Sequence, residues 1–391
     1  MTNRWVILFV LFIARTAMGF QFQSIASVSP LLVRDFAIDL ALFGTLIGSW
    51  MLPGILAAIP GGMLGTRYGD KRVTLFGLVL MVIGSTLTAL STEYSVAVTG
   101  RIVSGTGAVL LTVLLTKMVA DWFGERELAT AMGFLVVSWP AGVGLALVVL
   151  GPLAAATSWS IALHVSTAAC VVAFVLVALF YRAPPGPKKA VKPQPSPRLT
   201  GQEFKAASLS GGVWAFYNTS YIIVISFAPL LLADRGFGAA DAALISSAAT
   251  WPLLFAVPLG GVLADRTGRG RAILYTSLLA MAVCIPFLLA APSPLVMLAM
   301  IGLAVGPAAA VVMAMPARVL RPESRGLGMG VFYTWYYAAM AVLPGVAGWS
   351  RDVSGVPAAP LFFASALAVV AIACALMFQR LERGHKRLAP E

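Results

Sequence analysis

The sequence predicts an all-α integral membrane protein with twelve transmembrane helices, arranged as two pseudo-symmetric bundles of six. Three observations support this prediction: the composition, a series of long apolar runs, and a repeat at about half the chain length. Hydrophobic residues make up 60% of the 391 residues and charged residues 11%. A soluble domain carries roughly 25% charged residues. The composition therefore excludes a soluble enzyme and a nucleic-acid-binding protein, in spite of a net charge of +12.

Twelve apolar runs, named spans 1 to 12, are each long enough to cross a bilayer, which takes about 20 apolar residues in a helix. Unbroken runs favour helices over the alternating strands of a β-barrel. The first run lacks a small-residue cleavage pattern, so we interpret it as a retained span and not as a signal peptide. The spans cover approximately residues 5–29, 41–65, 73–92, 95–119, 128–150, 157–181, 206–232, 242–264, 272–291, 294–316, 326–349 and 356–379.

The basic residues predict the orientation of the chain. Of the 27 Lys and Arg residues, 22 lie at the termini, in even-numbered loops or at the adjoining end of span 4. The odd-numbered loops hold three, namely Arg34, Arg235 and Arg351. Because cytoplasmic loops are enriched in Lys and Arg, both termini are expected in the cytoplasm of a multi-pass protein of the inner (plasma) membrane. The basic side chains are then expected to contact anionic membrane lipid, and nucleic acid is not expected as a partner.

The chain divides into two similar halves. Residues 182–205 are rich in Pro and Lys and predict a cytoplasmic linker between bundles at 1–181 and 206–391. A shift of 199 residues aligns identical residues of the two halves: Pro30 with Pro229, Asp35 with Asp234, Gly62 with Gly261, Arg67 with Arg266, Gly69 with Gly268 and Arg72 with Arg271. A duplicated six-helix unit is typical of secondary transporters.

One part of this repeat carries a family resemblance. The stretch GVLADRTGRGR from Gly261 to Arg271 resembles the signature between the eighth and ninth helices of the major facilitator superfamily. The first-half copy, GMLGTRYGDKR, matches except that Thr66 replaces the aspartate. Span 4 contains Arg101 followed by Gly105 and Gly107, as in another segment of that family. The resemblance covers the whole chain and implies the fold of that superfamily and transport by alternating access.

The resemblance also implies that the two signature loops latch the halves together in the outward-facing state. The alternative is a basic turn that only sets topology, and both roles are compatible. Because Thr66 replaces the acid, the first-half latch is expected to be weaker or to use Asp70. The latch residues are Gly62, Arg67, Gly69, Asp70 and Arg72 in the first half, and Gly261, Asp265, Arg266, Gly268 and Arg271 in the second.

Arg15 is the first candidate for substrate binding, because it lies near the middle of span 1. An arginine there costs roughly 2.5–3.5 kcal/mol on insertion scales, so it needs water, a partner or an anion. None of the fifteen Asp and Glu residues lies in the central part of a span. We therefore predict that Arg15 anchors an anion, the alternative being a structural arginine bonded to helix carbonyls. Gly19, Phe22 and Gln23 follow at helical spacing on the same face.

Further candidates lie on spans 4, 7 and 11. Arg101 fits a substrate-binding or coupling role and a structural role equally well. Spans 7 and 11 carry polar aromatic stripes, which usually indicate packing, although polar groups inside a membrane need a partner or water. Because span 7 duplicates span 1, we expect the two to form opposite walls of one cavity. The candidates on these stripes are Trp214, Tyr217, Asn218, Tyr221, Tyr333, Tyr336 and Tyr337.

These features predict a secondary active transporter that moves a small, anionic solute by alternating access, through anion exchange or proton-linked transport. The alternative is a drug/proton antiporter of the same superfamily. No set of residues suggests catalysis, a metal site or a cofactor, so an enzyme is not expected, and we expect a monomer. The segment from Arg15 to Gln23, with Leu52-Pro53-Gly54 and Trp139-Pro140, is similar to bacterial permeases of the cyanate/nitrate-type group.

The predicted orientation is testable in the linker. In a cysteine-free chain, Ser196→Cys is expected to react with an impermeant maleimide in inside-out vesicles and to stay unlabelled in right-side-out vesicles. Phe237→Cys, in the loop between spans 7 and 8, is the matched control and should show the reverse pattern. Labelling of position 196 in right-side-out vesicles would overturn the assignment.

Overall fold

A computed structural model describes residues 3–56, 64–65, 67–123, 125–184, 199–321 and 324–388. Every regular element in these ranges is a helix, as the composition predicted. The helices are Arg4–Ser27 and Ser29–Phe36 (span 1), Leu40–Ser49 (span 2), Asp70–Ala89 (span 3), Tyr94–Trp122 (span 4), Glu125–Ala156 (span 5), Trp159–Phe180 (span 6), Gly201–Asp234 (span 7), Ala239–Ser247 and Leu253–Thr267 (span 8), Gly270–Phe287 (span 9), Pro294–Val305 and Ala308–Ala314 (span 10), Arg325–Ser354 (span 11) and Ala359–Leu388 (span 12).

The second span of each half, span 2 or span 8, is interrupted at the same place. Span 2 leaves the helix after Ser49 in a turn that reaches Pro53, and span 8 does so between Ser247 and Pro252. Proline removes a backbone donor and clashes with the preceding turn, which favours a break there. Pro53 and Pro252 coincide under the 199-residue shift, so the repeat extends to the position of this break.

Span 7 begins earlier than the sequence predicted. Its helix starts at Gly201, inside the segment that was predicted as linker. Thr200 accepts a hydrogen bond from the backbone N–H of Glu203, and the Glu203 carboxylate accepts one from the Thr200 N–H. This reciprocal capping satisfies two N–H groups that a helix otherwise leaves free, and so stabilises the extra turn.

Even-numbered loops contact each other or the termini on one face of the protein, and odd-numbered loops contact each other on the opposite face. On the face that carries the termini, named the even-loop face, contacts join Arg4 to Glu127, Lys71 to Tyr181 and Arg271 to Glu382. On the opposite, odd-loop face they join Asp35 to Trp159, Asp234 to Arg351 and Arg235 to Leu288. Twelve crossings require this separation of even from odd loops. The pattern therefore supports the predicted number of spans.

The two halves pack through bare backbone near the odd-loop face. A Cβ atom on Gly348 would lie 1.7 Å from the Leu40 carbonyl oxygen, and one on Gly44 would lie 1.9 Å from that of Pro344. Neither position has room for a side chain, so spans 2 and 11 approach as closely as helices can. Spans 5 and 8 also approach closely, because a Cβ atom on Gly151 would lie 2.2 Å from the Cβ atom of Ala243.

Asp352 joins the halves at this face. Its carboxylate accepts hydrogen bonds from the backbone N–H groups of Leu40 at 3.1 Å and Ala41 at 2.7 Å. These N–H groups open the helix of span 2, where the free donors and the helix dipole favour a negative charge. Span 2 is thus capped by a residue from the other half of the chain, in addition to its own Asp39.

Removal of this carboxylate should loosen the odd-loop contact. In Asp352→Ala, spin labels on the exposed positions 42 and 353 of a cysteine-free chain should show an added population at longer distance, because two helix N–H groups lose their acceptor. Asp241→Ala removes a carboxylate from the same face outside this contact, and its distance distribution should match the parent. An unchanged distribution in Asp352→Ala would show that the cap does not hold the halves together.

Candidate substrate site between the two halves

Arg15 lies midway along the helix Arg4–Ser27, on the side of span 1 that faces the second half. Its guanidinium is within electrostatic range of the phenol groups of Tyr333, Tyr336 and Tyr337 on span 11. The Arg15 Nε atom is buried and has no hydrogen-bond partner in the described part of the chain. A mid-membrane cation with an unused donor fits the predicted anion anchor better than the structural alternative, which requires bonded carbonyls.

Aromatic rings form a continuous wall opposite Arg15. The ring of Tyr336 lies 6.3 Å from Trp214, 6.4 Å from Tyr333 and 5.1 Å from Tyr337, between centroids. Trp214, Tyr333 and Tyr336 each keep partial exposure although they lie at mid-depth between the halves. We interpret this exposure as a gap between the halves beside these rings. Arg15 and Trp214 border the same region, and Tyr336 connects them.

Arg101 is already occupied with protein oxygens. Its three guanidinium nitrogens each donate at 3.2 Å to a backbone carbonyl, those of Leu46, Gln21 and Phe22. The side chain is 2% exposed. These bonds connect spans 1, 2 and 4, so the geometry favours the structural role of the two roles that the sequence left open. Substrate binding by Arg101 stays a prediction.

An aromatic cluster covers Arg101 inside the first half. The rings of Phe22, Trp50 and Trp139 lie 5.1 to 5.9 Å apart, and the Arg101 guanidinium is 5.9 Å from the Phe22 and Trp50 rings. Gly19 packs against the same cluster, since a Cβ atom there would lie 2.5 Å from the Trp139 carbonyl oxygen. Phe22 and Gly19 thus join span 1 to spans 2 and 5.

Gln21 and Trp50 support this cluster, and the sequence analysis had not singled them out. Gln21 donates to the Met81 carbonyl at 2.8 Å and accepts from the Trp50 indole at 3.4 Å. A glutamine in the middle of a span was the available signal, because a polar side chain in lipid needs a partner. Its neighbour Gln23 is also fully buried and donates across the halves to the Ile225 carbonyl at 3.3 Å.

The polar groups of the span 7 stripe are bonded inside the second half. The Tyr217 hydroxyl donates to the Val305 carbonyl at 2.8 Å, and the Tyr221 hydroxyl to Thr250 at 3.1 Å. The Asn218 amide donates to the Trp214 carbonyl one turn earlier, at 2.7 Å. The two tyrosine bonds join span 7 to spans 10 and 8. The contact of these side chains with substrate stays a prediction. Trp214, in contrast, keeps partial exposure.

The signature loops make tight reversals, as their glycines predicted. Gly69 and Gly268 have φ angles of +92° and +63°, which favour glycine. Asp70 pairs with Lys117 of span 4 at 2.5 Å, and Arg271 with Glu382 of span 12 at 3.1 Å. The first ion pair lies within the first half and the second within the second half, so neither joins the two halves.

The remaining latch residues show no bond between the halves in the described ranges. Arg67 stacks on Tyr68, Gly261 packs beside Ala310, and the side chains of Arg72, Asp265 and Arg266 are exposed. Gly62 lies outside the described residues. The latch between the halves therefore stays a prediction.

Comparison with known proteins identifies the family. The sequence model of the Major Facilitator Superfamily matches residues 11–238 and again residues 209–391. The chain belongs to the major facilitator superfamily. The fold agrees, because the structure superposes on a bacterial homolog of the human lysosomal transporter Spinster with a TM-score of 0.79, at 16% identity and over 99% of both chains.

The curated relatives of this superfamily member are transporters. The 3-(3-hydroxy-phenyl)propionate transporter of Escherichia coli K12 is 28% identical over 58% of this chain and 56% of its own length. The hexuronate transporter of Bacillus subtilis 168 is 23% identical over 72% and 69%. A probable galactarate/D-glucarate transporter of Escherichia coli K12 is 26% identical over 54% and 47%. The chain thus spans about half of the first relative. The predicted family and the predicted all-α membrane fold are confirmed.

The two arginines should differ in their effect on stability. Arg101→Gln should lower the free energy of unfolding by about 2 kcal/mol or more, because buried carbonyls lose their donors. Arg15→Gln should leave the melting temperature of the ligand-free protein unchanged or raise it, because it removes a buried charge without a bonded partner. Thermal unfolding of both variants in detergent tests this. Equal losses for both would contradict the assignment.

Proposed function

We propose that the protein is a secondary active transporter for a small organic anion, which binds between the halves at Arg15. The observation that supports this most directly is the buried, unpartnered Nε atom of Arg15 at mid-depth. A carboxylate can take two parallel hydrogen bonds from a guanidinium and neutralise its charge. The bound anion would thus offset the free-energy cost of a charged arginine in the membrane. This gain in free energy would provide the binding affinity.

The relatives support a carboxylate as the anionic group. Hydroxyphenylpropionate, hexuronate and galactarate or glucarate are different molecules, but each carries a carboxylate. In the described residues, every Asp and Glu lies at a span end or in a loop, so no acid competes for Arg15. The same arrangement disfavours the drug/proton antiporter, because a cationic drug needs an acidic partner inside the membrane.

We infer that transport proceeds by alternating access. The bare backbone contacts and the Asp352 cap close the odd-loop face, which the charge pattern predicts to be the outer face. The substrate site would then open toward the cytoplasm in this conformation. Rocking of the halves would break these contacts and bring the signature loops at Gly69 and Gly268 together on the even-loop face. Anion exchange and proton-linked transport both remain compatible with a site without carboxylates.

A substitution at Arg15 tests the proposed function. In proteoliposomes, Arg15→Gln should reduce uptake of a small carboxylate by about 30-fold or more, the loss expected when a desolvated charge pair is truncated. Arg34→Gln removes the same charge from an exposed position in the last turn of the helix Ser29–Phe36 and should transport normally. A thermal-shift screen of small carboxylates and cationic drugs would identify the probe, since binding raises the melting temperature. Unchanged uptake in Arg15→Gln, or stabilisation by cationic drugs alone, would overturn the proposal.

A further inference from the structure

The wall that faces Arg15 is built from rings and offers few hydrogen-bonding groups. Trp214 stacks with Phe332 at 6.2 Å and lies near Tyr336 at 6.3 Å, between ring centroids. Phe332 is fully buried behind Trp214, and Tyr333 extends the partly exposed surface, 6.4 Å from Tyr336. Flat aromatic faces at mid-depth provide contact area for another ring and little that a hydroxyl group can bond.

The polar groups on this wall are mostly engaged elsewhere. Tyr217 and Asn218 bond to backbone carbonyls, and Tyr337 interacts with Thr112 of span 4. The hydroxyls of Tyr333 and Tyr336 show no hydrogen bond among the described residues and are within electrostatic range of the Arg15 guanidinium. Arg15 with these two hydroxyls provides donors for one carboxylate. Span 7 also carries three hydroxyls without a hydrogen-bond partner among the described residues, those of Ser208, Thr219 and Ser226. Thr219 and Ser226 are fully buried, and Ser208 lies two turns from the start of the helix, so none of the three belongs to the ring wall.

The small number of hydrogen-bonding groups on the ring wall favours one class of organic acid over another. A polyhydroxylated acid that enters the site would lose water from its hydroxyls, and a hydroxyl without a new partner is costly to bury. An acid with an aromatic ring loses no such bonds and gains edge or stacking contacts with the ring wall. The difference between the two classes comes from the wall, whereas the carboxylate contact with Arg15 is common to both.

We propose that the site selects aromatic monocarboxylates over polyhydroxylated acids, with the carboxylate at Arg15 and the ring against Trp214 and Tyr336. This assignment rests on the proposed function, since it needs the anion at Arg15. The partial exposure of Trp214 and Tyr336 toward the gap, next to the unpartnered Arg15, is the juxtaposition that carries it.

Binding of two probes to the full-length protein in nanodiscs tests the selectivity. In calorimetric titrations, 3-phenylpropionate is expected to bind at least tenfold more tightly than glucuronate. Both carry one carboxylate and a six-membered ring, and they differ in aromaticity and hydroxyl content. This comparison uses the unmodified protein and does not depend on the folding of a variant. Equal affinities, or tighter binding of glucuronate, would overturn the inference.

Variants of the ring wall test its cause. Trp214→Leu should weaken 3-phenylpropionate about three- to tenfold, the range of one aromatic pair contact, and leave glucuronate unchanged. Tyr336→Leu also removes a hydroxyl donor of the carboxylate, so it should weaken both probes, and 3-phenylpropionate about three- to tenfold more than glucuronate. Trp214→Phe and Tyr336→Phe keep a ring and should largely retain the preference. If the two leucine variants weaken both probes in equal measure, these side chains do not contact the aromatic ring of the substrate.

Arg15→Gln separates this inference from the proposed function. If it abolishes binding of both probes, the anion site stands and the ratio of the two affinities decides the selectivity. If 3-phenylpropionate binds as well to Arg15→Gln as to the parent, the anion site itself fails. If Arg15 is required but the ratio is near one, only the selectivity fails.

Discussion

A guanidinium inside a membrane must find oxygen atoms, and this requirement organises the centre of the molecule. Arg101 satisfies it within the first half, with three carbonyls from spans 1 and 2 below the rings of Phe22 and Trp50. That network fixes how the first bundle packs. Arg15 keeps a buried donor without a partner and faces the other half. Two residues of the same type thus differ in their surroundings, because Arg101 finds oxygen acceptors in the fold and the Nε atom of Arg15 has none among the described residues.

The contact between the halves is suited to separation. Where Gly44 and Gly348 bring spans 2 and 11 together, backbone meets backbone and no side chain stands between the two helices. Interlocked side chains have to leave their positions before helices separate, whereas smooth backbone surfaces can part as rigid bodies. The Asp352 cap adds a directional contact that breaks without disturbing either core. Within each half, Gln21, Arg101 and Tyr217 tie several helices together through buried hydrogen bonds. Across the halves, Gln23 makes a buried hydrogen bond to the Ile225 carbonyl.

Aromatic residues serve two purposes that depend on their surroundings. Phe22, Trp50 and Trp139 pack around a cation that is already bonded, and Tyr217 and Tyr221 use their hydroxyls to join helices. Trp214, Tyr333 and Tyr336 stay partly exposed at the gap between the halves. The chemistry of the side chains is the same in both groups, so accessibility and hydrogen-bond use separate structural rings from those that can meet a ligand.

The sequence by itself determined the membrane class, the spans, the repeat and Arg15 as a mid-membrane charge, because these depend on local composition and spacing. The break at Pro53 and Pro252 was also present in the sequence, since proline acts on its own helix. Other features depended on tertiary structure. Which carbonyls bond Arg101, which rings face Arg15 and which carboxylate caps span 2 are contacts between residues up to 312 positions apart. Helical spacing assigns a side chain to a face, but the neighbour that the face meets is set by the packing of all twelve spans.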